Sequence, residues 1–534
     1  MMKKLKKFTK KIIKKITNDR FQYSLLLWFL ILQPFLDCHL LYSEKVIALF
    51  GFSPTTIIRL VFIACLALLV FLCDKSKKNK IILISYGILI AIYTVVHHIC
   101  CSGLTIKNYP SFLYSTATEF LYMLRMLLPV GVMYLGYQIK YKKEDFIRLI
   151  CNTTAIMSII IILLNLTKTS SASYGGGLIE GNILDWFFSI GRYGPESLAS
   201  KGWFNSANQI SGLYMLLLPF VIYDLFDKFE LKKLLNIVVA VISMTMIGTR
   251  VATYGWILVV AMIIIIDIYM MLIHKHKFRK ASYISTALVV AFGLLLGHYA
   301  PIVSSEMVDV YNASDDAASA TIEEIAVLSE QIVNDELSNK EKKEVLKKNK
   351  CLKTNGEMKI ECLVNKLSIS PTFYNEIYPV KDHADFWKYF MFDVPAHKKY
   401  GQRKIQYLIS QDVYKEQKQS LTPVLGLGYS RFTNAYLYPE HDYYVHYLTI
   451  GIIGILLLVV IYPMLAIVSL IYMLIKRKFN FLNIILCAAI LETTLISMLT
   501  GHIMDELIVS LFIGFVSGFL LKRMKEINNE KTNY

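Results

Sequence analysis

The chain has 534 residues, of which 55% are hydrophobic and 18% are charged. A soluble domain carries about 25% charged residues, so this composition excludes an ordinary soluble enzyme and favours a membrane protein. The net charge of +17 does not indicate nucleic-acid binding, because the basic residues cluster in short segments between apolar stretches, which is a signal of membrane topology. The chain contains no P-loop, GxGxxG or GxSxG motif.

Apolar stretches of about 20 residues, enough to cross roughly 30 Å of hydrocarbon, recur along the chain. The first 20 residues are basic and not apolar enough for the core of a signal peptide, so they predict a cytoplasmic arm that lies against anionic lipid. Membrane-spanning helices are predicted at residues 21–42, 56–73, 81–101, 120–137, 146–166, 207–226, 234–248, 251–273, 281–300, 444–475, 481–500 and 503–521.

These twelve helices put both termini on one side of the membrane. Every predicted loop on that side contains a basic cluster, as the positive-inside rule requires of cytoplasmic loops. The sequence therefore predicts an all-α polytopic membrane protein of about 12 transmembrane helices with cytoplasmic N- and C-termini. Its predicted parts are a basic arm (1–20), helices 1–9 (21–300), a large extracytoplasmic loop (301–443), helices 10–12 (444–521) and a cytoplasmic tail (522–534).

The loop at residues 301–443 is too long to be only a connector. It predicts a partly helical cap over the membrane helices, without an apolar core of its own. If the loop is outside the cell, Cys351 and Cys362 can form a disulfide; two free thiols are the alternative. The nine cysteines show no CxxC and no Cys/His spacing, so no metal site is expected.

Two residues near the predicted outer surface are candidates for chemistry. Arg250 lies in IGTRVATYGW, in a short outer turn, where a guanidinium suits a lipid phosphate or diphosphate. The alternative is an ordinary snorkelling arginine. His441 lies in YLYPEHDYY, just before the tenth predicted span, where it can deprotonate a sugar hydroxyl. The alternative is an interfacial histidine among aromatic residues.

Other cationic residues are weaker candidates of the same kind. Arg431 lies in GLGYSRF, where the glycines permit close approach to a ligand; it is either a second diphosphate contact or a solvated loop arginine. Arg192 lies in the other long outer loop. Arg59 and Arg125 fall within spans, where a charge needs a partner or a role; internal ion pairs are the first interpretation and secondary phosphate contacts the second.

Three segments match one family in order and spacing. GWFNSANQISGLYMLLLPF, from Gly202, is similar to a Gly-x-Phe-x-x-x-Asn entry into a helix that ends in Pro. IGTRVATYGWILV is similar to a Gly-Thr-Arg turn between two helices. GLGYSRFTNAYLYPEHDYYVHYLTIGIIG is similar to a Gly-rich approach, a His and a Gly-x-x-Gly helix after a large outer loop. With QPFLDCHL in the first span, the chain resembles the O-antigen ligase and O-antigen polymerase superfamily of bacterial membrane glycosyltransferases.

The resemblance implies a function and a set of roles. Arg250 would bind the diphosphate of an undecaprenyl-linked glycan donor, and His441 would activate the acceptor hydroxyl. The family's His-Asn pair is His441-Asp442 here, which leaves the second position open. Neither metal nor cofactor is implied. Further substrate contacts would come from Arg431, Arg192, Asn208, Arg59 and Arg125.

The expected partners are an undecaprenyl-diphosphate-linked glycan, a glycan or cell-surface acceptor, membrane lipids and other polysaccharide assembly proteins, but no nucleic acid. The expected localisation is the bacterial cytoplasmic membrane. A Lys/Ile/Asn-rich composition favours a single-membrane bacterium, and with it polymerisation of a capsular or exopolysaccharide. The alternatives are a ligase that attaches the finished glycan to a surface anchor, and a lipid-linked oligosaccharide flippase, although flippases usually show related halves. A sensor ranks last, because no output domain is visible.

Overall fold

The computed structural model describes residues 17–38, 53–104, 112–174, 177–188, 193–194, 197–274, 279–303, 316–366, 369–394, 402–417, 419–435, 437, 439, 441–501 and 503–529. Over these residues the chain is largely α-helical, and strand-like pairing is limited to isolated bridges. The predicted all-α architecture is confirmed.

Each predicted span contains a helix. The helices before the large loop are α1 (Asp19–Leu32), α2 (Pro54–Cys73), α3 (Lys77–Ser102), α4 (Thr116–Gln138), α5 (Lys143–Leu166), α6 (Asp185–Phe188, in the loop before α7), α7 (Ala207–Asp227), α8 (Leu231–Ile247), α9 (Arg250–His274) and α10 (Lys280–His298). Polar N-caps begin several of them: the Ser76 and Ser115 hydroxyls accept from the backbone N–H of Asn79 and Thr118.

Within the described residues, ten helical segments are long and apolar enough to cross a membrane. The two remaining predicted spans correspond to α1, of 14 residues, and α8, of 17 residues, which are shorter than a full crossing. Helix α7 is almost entirely buried and forms the centre of the bundle, whereas α2 and α3 are mostly exposed on its periphery.

The large loop is built from short helices. They are α11 (Asp316–Val333), α12 (Asn339–Lys348), α13 (Ile360–Lys366), α14 (Ala384–Phe392), α15 (Gln402–Gln417), α16 (Thr422–Leu425) and α17 (Tyr429–Asn434), with a single π turn at Phe373–Ile377. After the loop come α18 (Asp442–Leu458), α19 (Ile461–Lys476), α20 (Phe481–Leu499) and α21 (Leu507–Asn529).

We call α11 to α17 the outer unit, after the side of the membrane predicted for them, and this unit has an apolar core of its own. Trp387, Phe390, Ile405 and Ile409 are fully buried in this cluster, which is separate from the core of the membrane helices. The expectation that the loop has no apolar core is therefore wrong. A disulfide joins Cys351 to Cys362, with their Cα atoms 5.2 Å apart.

The tenth predicted span, residues 444–475, is interrupted. Gly451 has φ 65° and ψ −176°, a conformation that is essentially restricted to glycine. This kink frees the carbonyls of Leu448 and Thr449, which accept from Leu427 N–H (2.7 Å) and Gly428 N–H (3.0 Å). Residues 442–450 of α18, which we call the outer half-helix after the side of the membrane predicted for them, thus lean against the Gly-rich segment, residues 426–428.

Two glycines of α21 bring it close to α4. A Cβ on Gly514 would collide with the carbonyl of Pro129, and one on Gly518 would collide with the carbonyl of Met133. Small residues four positions apart let two membrane helices approach at backbone distance. This packing runs α4 and α21 parallel to each other, with their N-terminal ends on the same side.

Candidate functional site

The turn that carries Arg250 is built by three consecutive residues. Gly248 ends α8 in the left-handed region, with φ 70°. The Thr249 hydroxyl accepts from Ala252 N–H (3.1 Å) and so caps α9. Arg250 is the first residue of α9 and is exposed. The Gly-Thr-Arg sequence therefore presents a guanidinium at a helix N-terminus, where the backbone also favours an anion.

The loop before α7 holds this turn in place. The Tyr174 hydroxyl donates to the Gly248 carbonyl (2.8 Å), and Ser200 N–H donates to the Met246 carbonyl (2.8 Å). Lys201, in the same loop, is partly buried, and burial lowers the pKa of its ammonium group. Arg192 lies outside the described residues.

Contacts through α7 connect the Arg250 turn to the turn before α21. The Thr249 and Ser211 hydroxyls are 2.7 Å apart. On the next residue of α7, a Cβ placed at Gly212 would lie 3.0 Å from the Ile503 side chain. The first turn of α7 also carries Asn208, which is partly buried.

The turn before α21 is in turn fixed to the residue that follows His441. A single carboxylate oxygen, Oδ2 of Asp442, accepts from Ile503 N–H (2.9 Å) and Met504 N–H (2.6 Å). Asp442 is buried. One continuous series of contacts therefore runs from the Arg250 turn to His441.

His441 is the N-cap residue of α18. Its carbonyl accepts from Val445 N–H (2.9 Å), and its own N–H donates to the Pro439 carbonyl (2.9 Å). The imidazole is partly exposed and lies edge-on to Tyr407, with ring centroids 6.3 Å apart. The ring therefore remains accessible to a ligand.

Arg125 and Arg59, two of the predicted substrate contacts, are ion-paired within the bundle. Arg125 donates to Glu506 (2.7 Å) across α4 and the start of α21. Arg59 is fully buried and donates to both carboxylate oxygens of Asp37 (2.7 and 2.8 Å). It also donates to the Gln33 carbonyl (2.6 Å). These positions match the first interpretation of an intramembrane arginine, an internal ion pair.

Arg431 is also engaged by the protein itself. Its guanidinium donates to the carbonyls of Cys101 (2.8 Å), Leu104 (2.6 Å) and Phe112 (2.9 Å), at and just after the C-terminal end of α3. The side chain is buried, and burial lowers the pKa of its guanidinium. In this structure Arg431 therefore ties α17 to the end of α3 and is not directed at the Arg250 turn.

A histidine–glutamate pair that the sequence did not single out as functional holds the Gly-rich segment. His97 Nε2 lies 2.9 Å from the Glu119 carboxylate, and His97 Nδ1 donates to the Leu425 carbonyl (2.7 Å). Glu119 accepts from the N–H groups of Tyr429 (3.0 Å) and Ser430 (2.9 Å). No periodic pattern links these positions, since they are distant in the chain.

The chemistry available at this end of the molecule is that of cations, imidazoles and carboxylates. Among the described residues no group of three or more His, Cys, Asp or Glu side chains is placed to hold a metal ion. Arg250 and His441 lie at the starts of α9 and α18, and contacts through α7 and the turn before α21 join them. The partly exposed imidazole can take a proton from a hydroxyl, and the exposed guanidinium can bind an anionic leaving group.

The fold defines a multi-pass α-helical membrane protein. The chain matches the family model described as "O-antigen ligase like membrane protein" over residues 19–527. It therefore belongs to this family, which confirms the resemblance seen in the sequence. No curated protein and no solved structure matches the chain.

Proposed function

We propose that the protein is a membrane glycosyltransferase that transfers a glycan from an undecaprenyl-diphosphate donor to an acceptor hydroxyl at the outer face of the bacterial cytoplasmic membrane. Family membership supports this class of reaction. The observation that carries the proposal is the series of contacts that joins the Arg250 turn to His441 through Ser211 and Asp442.

The proposed reaction follows from where each group lies. The diphosphate binds at Arg250, which stabilises the negative charge that builds as the bond from the anomeric carbon to the diphosphate oxygen breaks. His441 takes the proton of the acceptor hydroxyl as its oxygen bonds to the anomeric carbon. The diphosphate leaves with the electron pair, and in-line attack inverts the configuration.

The remaining candidates take different roles in this proposal. Asn208 at the start of α7 and Arg192 in the loop before it are proposed to contact the glycan or the diphosphate. Arg59, Arg125 and Arg431 donate to groups of the protein, so we propose that they hold the helices that form the site. No cofactor or metal takes part.

Polymerisation of a capsular or exopolysaccharide is the proposed biological reaction, with a second lipid-linked repeat unit as the acceptor. A ligase would instead use a finished cell-surface anchor. Supplying purified protein with lipid-linked repeat units alone distinguishes them, because a polymerase makes longer lipid-linked chains and a ligase does not.

Alanine substitutions at the two central residues test the mechanism. We expect Arg250→Ala and His441→Ala each to lower the initial rate of glycan transfer by at least about a hundredfold, the usual effect of removing a charge-stabilising donor or a general base. The assay uses purified protein in detergent with a chelator, and follows the lengthening of lipid-linked glycan by gel electrophoresis.

The matched controls are Arg20→Ala, an exposed arginine at the start of α1, and His298→Ala, an exposed histidine at the end of α10. Both should transfer glycan at the wild-type rate. Full activity of Arg250→Ala and His441→Ala would disprove the mechanism. A wild-type protein that moves lipid-linked glycan across vesicles, but never transfers it, would identify a transporter instead.

A further inference from the structure

A second histidine, His446, lies inside the protein near the candidate site and has no part in the mechanism above. It is fully buried in the outer half-helix, one turn further along α18 than Asp442. An ionisable side chain in a membrane-spanning helix carries a cost and generally has a specific role.

One ring nitrogen of His446 is paired across the bundle. His446 Nδ1 lies 3.1 Å from the hydroxyl of Tyr122 on α4. The Tyr122 ring stacks on Tyr429, with centroids 3.7 Å apart and planes 3° from parallel. His446 therefore connects the outer half-helix to α4 and, through the stacked rings, to α17.

The other ring nitrogen destabilises the fold. His446 Nε2 is buried and has no hydrogen-bond partner among the residues that the structure describes. A buried polar atom without a partner destabilises a protein, and each such atom in a native structure calls for an explanation. A phenylalanine would fill the same space without this cost. Packing alone therefore does not explain an imidazole here.

The kink at Gly451 separates the outer half-helix from the rest of α18. Contacts with other parts of the protein hold the half-helix at three places. Asp442 holds its outer end to the turn before α21. Backbone hydrogen bonds from the Gly-rich segment hold its inner end. The His446–Tyr122 contact holds the middle. The charged side chains that interact electrostatically with His446 are those of Asp505 and Arg125.

We propose that His446 is a positioning residue that acts through Tyr122 to set the direction of the outer half-helix, and hence the place of His441 at its start. The inference rests on the proposed function for its effect on glycan transfer. Its effect on the half-helix itself does not depend on that function. The unpaired Nε2 of His446 lowers the stability of the fold, and the contact of Nδ1 with Tyr122 raises the rate of glycan transfer.

Three substitutions at this position separate the two nitrogens. His446→Phe keeps the ring volume and removes both nitrogens. His446→Asn places an amide oxygen near the position of Nδ1, where it accepts from Tyr122. Tyr122→Phe removes the partner hydroxyl. The control is Tyr462→Phe, a buried tyrosine on α19 whose hydroxyl has no partner among the described residues.

We expect His446→Phe to lower the rate of transfer at least tenfold, while its apparent melting temperature stays equal to or above that of the wild type. His446→Asn should keep at least a third of the wild-type rate. Tyr122→Phe should be at least as slow as His446→Phe, because the Tyr122 hydroxyl also interacts with the Thr449 side chain. The double variant should be no slower than Tyr122→Phe alone, because both substitutions remove the His446–Tyr122 contact. Tyr462→Phe should behave as the wild type.

Hydrogen exchange measured by mass spectrometry tests the positioning without any assay of transfer. Amides at 442–450 should exchange faster in His446→Phe than in the wild type, and amides of α20 should not. Full activity and unchanged exchange in His446→Phe would overturn the proposal. So would a loss of activity that follows a loss of melting temperature, since that is the behaviour of a merely structural residue. Absence of transfer by the wild type, with faster exchange in the variant, would refute only the proposed function.

Discussion

Asp442 occupies the position after His441 where the pattern that the chain resembles has Asn. The hydrogen bonds of Asp442 show what the residue does in the fold. A single carboxylate oxygen accepts both the Ile503 and the Met504 N–H. An amide oxygen can accept the same two hydrogen bonds, because neither requires the second carboxylate oxygen. The exchange of Asn for Asp at this position is therefore compatible with one shared function, the attachment of the His441 turn to the turn before α21.

Substitutions at Asp442 test this role. Asp442→Ala leaves two buried N–H groups without their acceptor, each at a cost of about 1–3 kcal/mol. We expect it to lower the free energy of unfolding by roughly 2–6 kcal/mol and to slow transfer at least tenfold. Asp442→Asn should stay close to the wild type in both its free energy of unfolding and its rate of transfer. Thermal unfolding and the transfer assay measure these effects, and equal behaviour of the Ala and Asn variants would contradict the role.

The partners of the arginines could not be deduced from the sequence, although the possibility of ion pairs could. Arg59 pairs with Asp37 at a separation of 22 residues, and Arg125 pairs with Glu506 at a separation of 381. Helical periodicity relates only residues three or four apart. The buried position of Arg431 was missed for the same reason, because its acceptors lie at the end of α3, far away in the chain.

The spans were predictable because hydrocarbon requires long apolar helices with internally satisfied backbone groups. The break in α18 was not, because the residues around Gly451 are as apolar as the rest of the segment. Only the pairing with the Gly-rich segment makes the kink stable, and that pairing joins residues 427 and 428 to 448 and 449. Two glycine motifs that are separate in the sequence, GLG at 426–428 and GIIG at 451–454, are the signal that marks it.

A glycine substitution tests the kink. In Gly451→Ala the Cβ would collide with the backbone of Val424 and Leu425, and the φ of 65° adds about 1–3 kcal/mol of strain. We expect transfer to fall at least tenfold and the melting temperature to fall. The control is Gly87→Ala on α3, where an added Cβ meets nothing within 4 Å, and which should be neutral or slightly stabilising. A fully active Gly451→Ala would show that the kink is not needed.

The apolar core of the outer unit was missed because its residues are dispersed over several short helices and the segments that join them, among many charged residues. No single stretch has the strong periodicity that identifies a core. The helical character of the loop was expected, and the structure shows helices in it. The paired cysteines lie inside this core region, with Cys351 buried.

The disulfide gives a prediction for the whole outer unit. Its cysteines are 11 residues apart, and closing a loop of that order contributes about 3 kcal/mol. We expect the double substitution Cys351→Ser and Cys362→Ser to make the outer unit more sensitive to limited proteolysis, while Cys65→Ser, an exposed cysteine on α2, has no effect.

Alkylation of the denatured, unreduced protein should modify seven of the nine cysteines. Modification of all nine would show that the bond does not form. Unchanged proteolysis of the double variant would show that the bond contributes no stability to the outer unit.

The core of the outer unit includes Phe112, from the segment between α3 and α4, and Leu448, from the outer half-helix. Two of its walls thus belong to parts of the chain that are anchored in the membrane. A fragment excised at residues 316 and 437 would be missing those walls and would expose apolar surface to water. For antibody production or ligand screening, the unit therefore has to be prepared together with its transmembrane helices.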